Sequence, residues 1–431
     1  MNFLKKQSPV RIISLGFALV ILIGSVLLSL PCSIRDGVTL RYIDALYMST
    51  SAVCVTGLLT VDAGDTFTPL GQFFLGMLIQ VGGLGVTAVG TGVILAMGKK
   101  INLKARNLIR EAGNLDSGKG VIRFIRLVFL TTVTFELAGA ALSFLVFRKN
   151  FPPLKAAGVS LFHSVASFNN SGFDILGGGQ NLIPYQDDIL LNLVTCALVI
   201  FGGIGFLVIR EVIAKRFRWK KLSMHAKVVL FMSLVLTAAG TVLLKLTEDI
   251  TWMGAFFTSV SARTAGFSTF PLGSFSGAGL LTVIVLMVIG ASPGSTGGGI
   301  KTTTCYVLFE GIRSSATNTS EKAFRYAVPA DAFRKAAVIT LLALGIVLTG
   351  TYILVILEPG VPFLDALFEM SSAFGTAGLS TGISAGLCDA AKILTILIMF
   401  IGRLGPLTIA SLWYFTKGER VSYPEGNIAI G

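Results

Sequence analysis

The residues of this chain best placed to do chemistry are glycines and their neighbours rather than acids, bases or nucleophiles. A short apolar run followed by a polar, Gly-containing turn occurs four times: at Cys54–Leu58 (CVTGL), Asn169–Phe173 (NNSGF), Arg263–Phe267 (RTAGF) and Gly375–Leu379 (GTAGL). Glycine permits φ > 0 and carries no side chain, so successive carbonyls of such a turn can face one space and replace the hydration shell of a cation. The expected chemistry is coordination by backbone oxygen, with no bond made or broken. The candidate residues are Val55, Thr56 and Gly57; Asn170, Ser171 and Gly172; Thr264, Ala265 and Gly266; and Thr376, Ala377 and Gly378.

Positioning four such turns sets demands on the elements around them. Each follows about one short helix of sequence, at Asp44–Val53, Val159–Phe168, Trp252–Ala262 and Phe363–Ala373. A bilayer needs roughly 20 apolar residues to cross, so each short helix is read as re-entrant. A second Gly-rich feature follows at Gly82, Gly202, Gly290 and Gly402, which lie 25, 30, 24 and 24 residues after the turn glycines. Apolar length predicts eight spanning helices, at 9–30, 67–97, 121–147, 186–213, 226–247, 278–290 with a broken continuation, 334–357 and 391–415. The expected fold class is all-α and polytopic, in four units of span, re-entrant helix, loop and span: residues 1–98, 99–213, 214–315 and 316–420, then a tail at 421–431. Irregular backbone survives at membrane depth only where protein buries it or it lines a watery cavity, so the four turns must converge on one pseudo-fourfold pore. Helices entering from outside aim their partially negative ends at its centre. Glycine placed only for close helix packing would explain one such turn. It does not explain four in register.

Composition agrees. The chain is 53% hydrophobic and 13% charged, with mean hydropathy +0.80, which excludes a hydrated soluble surface. The formal charge of +13 comes in short segments between apolar spans without an aromatic binding face, so no nucleic-acid partner is expected. Of the 35 Lys and Arg, 26 fall in the N-terminus, 98–126, 210–227, 301–335 and the tail after Lys417. The positive-inside rule makes these connections and both termini cytoplasmic, in a multi-pass protein of the cell membrane. The opposite face carries Asp36, Asp62, Asp65, Asp187, Asp188, Glu248, Asp249, Glu358 and Asp389, and is expected to concentrate cations. Five Cys without metal spacing are read as small buried residues, and the isolated His163 and His225 receive no ligand role. The sequon at Asn169 falls inside a turn and is discounted.

Charges at membrane depth are functional candidates because of their desolvation cost. Arg263 and Glu369 sit beside the third and fourth turns and are expected to brace them as a pair, while Glu136 is read as a hydrogen-bond partner of a neighbouring helix. The sixth span is expected to break at Gly290–Gly299, where Pro293 removes a donor and five glycines forfeit helix propensity. Gly290, Ser292, Gly294, Ser295, Thr296, Gly297, Gly298, Gly299 and Lys301 then form a loop inside the turns, where Arg403 projects as a fixed positive barrier. Loop and arginine together are read as a gate. The run from Gly294 to Thr302 approaches a phosphate-binding loop, but Ile300 separates Gly from Lys and no strand precedes it, so no enzyme is expected. A carrier with a midplane site is the rival reading; the repeats run parallel rather than inverted, which favours a pore.

The four turns, with Gly82–Gly85 (GGLG), Gly202–Gly205 (GGIG), Gly290–Lys301 (GASPGSTGGGIK) and Ile401–Pro406 (IGRLGP), resemble the Trk/Ktr/HKT superfamily of potassium transporters, Ktr type, over essentially the whole chain. The resemblance implies potassium uptake, with potassium held at the backbone of the turns as substrate, no covalent cofactor, and sodium as a possible activator. It also implies a homodimer in membrane lipid and a KtrA-like cytoplasmic ring that binds ATP or ADP. Some plant relatives in that superfamily that pass sodium carry Ser at the first turn glycine; all four are Gly here.

Overall fold

The computed structural model describes residues 9–96, 121–329 and 331–411. In chain order the helices are α1 (Pro9–Leu28), α2 (Tyr42–Cys54), α3 (Pro69–Leu84), α4 (Val86–Ala96), α5 (Val121–Phe147), α6 (Pro153–Phe168), α7 (Ile189–Ile204), α8 (Phe206–Ala214), α9 (Met224–Thr247), α10 (Trp252–Ser261), α11 (Gly277–Val288), α12 (Thr302–Thr317), α13 (Ala332–Leu357), α14 (Phe363–Gly375), α15 (Asp389–Leu404) and α16 (Pro406–Ser411). A two-stranded hairpin of β1 (Lys322–Ala323) and β2 (Tyr326–Ala327) lies between α12 and α13. Local chemistry starts many of these helices. Thr68, Asp188, Ser223, Thr251 and Ser276 each accept the amide three residues on, at 2.9 to 3.2 Å, and satisfy a donor that the first turn leaves open.

Four helices, α1, α5, α9 and α13, are long and apolar enough to cross a membrane outright. Three of the other four spans differ from expectation, while the sixth breaks where expected, with α11 ending at Val288. The stretches 67–97, 186–213 and 391–415 are not continuous helices: α3, α7 and α15 stop after 16 residues at Gly85, Gly205 and Gly405, whose φ values of +86°, +91° and +90° no helix accommodates. The chain bends by 102° at the first break and 98° at the second. A 16-residue helix rises about 24 Å, short of the ~30 Å hydrocarbon layer. The sixth span is shorter still, since α11 has 12 residues.

One packing contact recurs along the chain. Gly24, Gly139 and Gly240 leave no room for a Cβ against Ser49 and Leu78, Ser164 and Leu198, and Ser259 and Leu286 respectively. In each case the serine, on a short helix, donates to a carbonyl of the long helix: Ser49 to Ile21 at 2.7 Å, Ser164 to Glu136 at 2.6 Å, Ser259 to Thr237 at 2.9 Å. Gly350 repeats the contact with Met370 and Ile398, where methionine takes the serine's place. Glycine thus lets long helix, short helix and following helix meet in each quarter of the chain. The expectation that Cys residues are buried holds for Cys54 and Cys196, whereas Cys32 and Cys388 are exposed. His163 is buried, 2.9 Å from the Thr195 hydroxyl.

Candidate functional site

The four turns begin where α2, α6, α10 and α14 end. In each, the residue two before the glycine is left-handed: Val55 at φ +56°, Asn170 at +58°, Thr264 at +75° and Thr376 at +50°. Gly57, Gly172, Gly266 and Gly378 follow at +97°, +68°, +78° and +79°. The amide between them turns back into the helix just ended. Thr56 donates to Ser51 at 2.8 Å, Ser171 to Ala166 at 2.9 Å, Ala265 to Ser261 at 2.8 Å and Ala377 to Ser372 at 2.9 Å. With the amides tied behind, the carbonyls are left for the opposite side.

That side is the other three turns. A Cβ built on Gly57 would strike the Ser171 carbonyl; on Gly172, the Ala265 carbonyl at 2.7 Å; on Gly266, the Ala377 carbonyl at 2.8 Å; and on Gly378, the Thr56 carbonyl. The order 57, 172, 266, 378 and back to 57 closes a ring. All twelve turn residues are brought together at its centre, and the eight non-glycine members are fully buried.

Gly82, Gly202 and Gly402 have a related task. A Cβ on each would meet the carbonyl of Val53, Phe168 or Phe374, four residues before the turn glycine of the same quarter. The third quarter departs from this, because Gly290 faces Gly298 of the 289–301 loop instead. Ile289 and Ile300 pair across the neck of that loop. The loop touches the second and fourth quarters, and Arg403 of the fourth links it to the first. Ser292 N and Thr296 N donate to Gly203 O and Gly202 O at 3.0 and 3.2 Å, Gly298 N donates to Thr376 Oγ1 at 3.0 Å, and Arg403 donates to Thr296 O, Gly82 O and Gly83 O, the last at 3.3 Å. Lys301 folds back on the loop, donating to Gly297 O at 2.9 Å and Gly298 O at 3.3 Å. Ser292 bonds Thr302 at 2.9 Å, Ser295 donates to Ser292 O at 2.6 Å, and Thr296 donates to Phe168 O and Gly202 O, both at 3.2 Å. Asn170 joins Thr264 at 3.1 Å; with its amide oxygen toward that hydroxyl, its nitrogen also reaches Val199 O and Ser167 O.

Opposite the loop, a cavity of about 490 Å³ opens over the ring, lined by Gly57, Gly266 and Gly378 and by residues that follow each turn. Several outer acids are committed elsewhere. Asp62 and Asp65 bind the amides of Gly179 and Gly178, Glu248 binds Ser276, and Glu358 binds Cys388 N. Asp62 nonetheless lines the cavity, as does Asp174, which is absent from the sequence reading.

Arg263 and Glu369 do not pair. Arg263 donates to Thr237 Oγ1 at 2.8 Å, while Glu369 accepts from Ser380 at 2.9 Å and from Ser384. Arg263 thus bonds the long helix α9, and Glu369 bonds residues that follow the fourth turn, so neither bond spans between the two turns. Glu136 instead holds Asn169 Nδ2 at 3.0 Å, with Gln80 Nε2 at 3.4 Å. The tail 421–431 and most of the basic segment 98–126 lie outside the described residues. Among those described, no group of three or more His, Cys, Asp or Glu is arranged to hold a metal ion.

The TrkH family, described as cation transport proteins, matches residues 10–416. The Ktr system potassium uptake protein B of Bacillus subtilis is 37% identical over 98% of this chain and 97% of its own length. The potassium/sodium uptake protein NtpJ of Enterococcus hirae is 35% identical over 99% and 98%. In structure, the chain is similar to the potassium transporter TrkH of Vibrio parahaemolyticus, with a TM-score of 0.75 at 19% identity, covering 95% of this chain and 86% of the other.

Proposed function

This chain belongs to the TrkH family of cation transport proteins, and from that premise we propose that it carries potassium into the cell through a pore whose filter is the ring of four turns. It is a helical membrane protein of the Ktr type, and its relatives are transporters rather than enzymes. The observation that carries the reading is the closed ring of turn glycines, each facing a carbonyl of the next turn. Backbone oxygens gathered this way suit a dehydrated monovalent cation. The four quarters of the chain, 1–98, 99–213, 214–315 and 316–420, act as pseudo-fourfold units around that path.

The 289–301 loop and Arg403 form the gate. The loop is held under the turns by bonds to the second and fourth quarters, and the guanidinium of Arg403, which also bonds the first quarter, adds a fixed positive charge there. Opening requires the loop to withdraw, a small rearrangement of a Gly-rich segment. The names of the relatives describe a Ktr system, in keeping with a cytoplasmic ring that binds ATP or ADP and acts on this loop. The transporter works as a homodimer in membrane lipid with both termini cytoplasmic, and sodium acts as an activator.

The test is rubidium or potassium flux into liposomes holding the purified protein, with and without a ring protein. Flux down the gradient at channel-like rates is expected, and it should change when ATP replaces ADP on the ring. Absence of potassium flux overturns the reading; slow saturating turnover selects a carrier with a midplane site.

A further inference from the structure

The outer cavity has an asymmetry that the ring of turns lacks. The positions two after each turn glycine are Leu59, Asp174, Ser268 and Ser380, and all four line the cavity. One of the four is a carboxylate. Asp174 is 7% exposed, its Oδ1 accepts from Leu176 N at 3.0 Å, and no Lys or Arg pairs with it among the described residues. A carboxylate so buried is costly unless a positive charge or further donors complete it.

A second feature points the same way. Three positions after the glycines stand Thr60, Thr269 and Thr381, and the hydroxyl of each lacks a hydrogen-bond partner among the described residues. Thr60 is 6% exposed, and Thr60 and Thr381 line the same cavity as Asp174. Orphan hydroxyls at equivalent positions of three turns are not an accident of one loop; buried polar groups are normally satisfied. A volume of about 490 Å³ leaves space for a cation with much of its water, since each water takes about 30 Å³.

We propose that Asp174, with the hydroxyls of Thr60 and Thr381, forms an outer site that takes a partly hydrated monovalent cation before it enters the turns. The site rests on the reading of the turns as the conduction path. Oxygen ligands and one negative charge on a wide, watery cavity hold an alkali cation loosely, which lets it move on. Asp62 also lines the cavity, but both of its carboxylate oxygens accept backbone amides, from Asp65 and Gly179, whereas Asp174 commits only Oδ1.

The experiment is the concentration dependence of rubidium flux into liposomes. Asp174→Asn is expected to raise the half-saturating concentration roughly fivefold, the factor one nearby charge carries in a water-like medium. Thr60→Val with Thr381→Val raises it roughly twofold, the scale of a weak hydrogen bond. Ser268→Asp placed in the Asp174→Asn background returns the carboxylate to an equivalent position and restores most of the loss, which separates a site from misfolding. Unchanged half-saturation in Asp174→Asn that elutes as wild type overturns the site. So does a shift that vanishes at high ionic strength while both threonine variants behave as wild type, since the carboxylate then acts only as diffuse charge. Failure of the pore reading itself looks different: the wild-type protein conducts no rubidium at all.

Discussion

Val55, Thr264 and Thr376 are β-branched residues held at φ values of +56°, +75° and +50°. Left-handed backbone costs such residues about 1–2 kcal/mol each, and it persists only where the surroundings over-determine it. Here they do. The following amide is tied to the preceding helix and the following glycine is wedged against its neighbour. Gly378→Ser and Gly57→Ser therefore put a side chain where a carbonyl of the next turn already sits. Both are expected to lower preference for potassium over sodium by severalfold in one liposome flux assay; equal preference in wild type and both variants would remove these glycines from the filter. Val55→Gly separates strain from function. Relief of the left-handed strain, ~1–2 kcal/mol, offsets only part of the loss of a fully buried valine, about 1.5–3 kcal/mol. A thermal melt should therefore show a loss of roughly 1–2 kcal/mol, and potassium preference should weaken because the turn no longer holds one geometry. A loss of that size with intact preference would refute that account.

Elements were legible to different degrees. The re-entrant helices were readable because a length too short to span and a polar turn occurred four times, and α2, α10 and α14 start and stop close to the expected bounds, whereas α6 stops as expected but starts six residues early, at Pro153. The breaks at Gly85, Gly205 and Gly405 were not, because apolar sequence runs through them and hydropathy is blind to the sign of φ. The glycines in α1, α5, α9 and α13 carry a repeating contact whose partners, Ser and Leu in three quarters and Met and Ile in the fourth, lie at unequal offsets from the glycine, so no fixed spacing announces it in the sequence. The 289–301 loop is joined to the second and fourth quarters by hydrogen bonds, and its glycines lower the cost of rearranging it. Arg403→Ala removes donors to Thr296, Gly82 and Gly83 together with a positive charge. That variant, and deletion within Gly294–Gly299, should each raise basal potassium flux about tenfold or more, since charge-assisted hydrogen bonds contribute roughly 1.5–3 kcal/mol. Dependence on the ring's nucleotide should weaken in parallel. Unchanged flux in both folded variants would rule out the gate.

At the scale of the molecule, sequence conveys depth but not direction around an axis. Arg263 and Glu369 were paired by depth alone, and the structure turns them toward Thr237 and toward Ser380 and Ser384. Asp174 escaped notice because it occurs in one turn of four, so no repeat announced it. The pair that closes the molecule was equally hidden, since its members lie 348 residues apart. Lys392 Nζ of α15 meets Asp44 Oδ1 of α2 at 2.6 Å, with the two side chains 3% and 9% exposed, and Arg41 links Asp44 to Asp389 at 3.1 and 2.9 Å. This joins the last quarter of the chain to the first, at the N-terminal end of the helix that leads into the Val55–Gly57 turn. Breaking one side of a buried pair strands the other charge, at a cost of about 3–5 kcal/mol, whereas replacing both with neutral groups of similar size costs little. Lys392→Met should therefore lower the melting temperature in detergent and reduce potassium preference, because the first turn loses its anchor. The double variant Lys392→Met with Asp44→Asn should recover most of the stability, while recovery of preference depends on whether α2 keeps its place. If the single variant melts like wild type, the pair does not close the ring; if the double variant is as unstable as the single, the lost energy lay in packing around the lysine rather than in a stranded carboxylate.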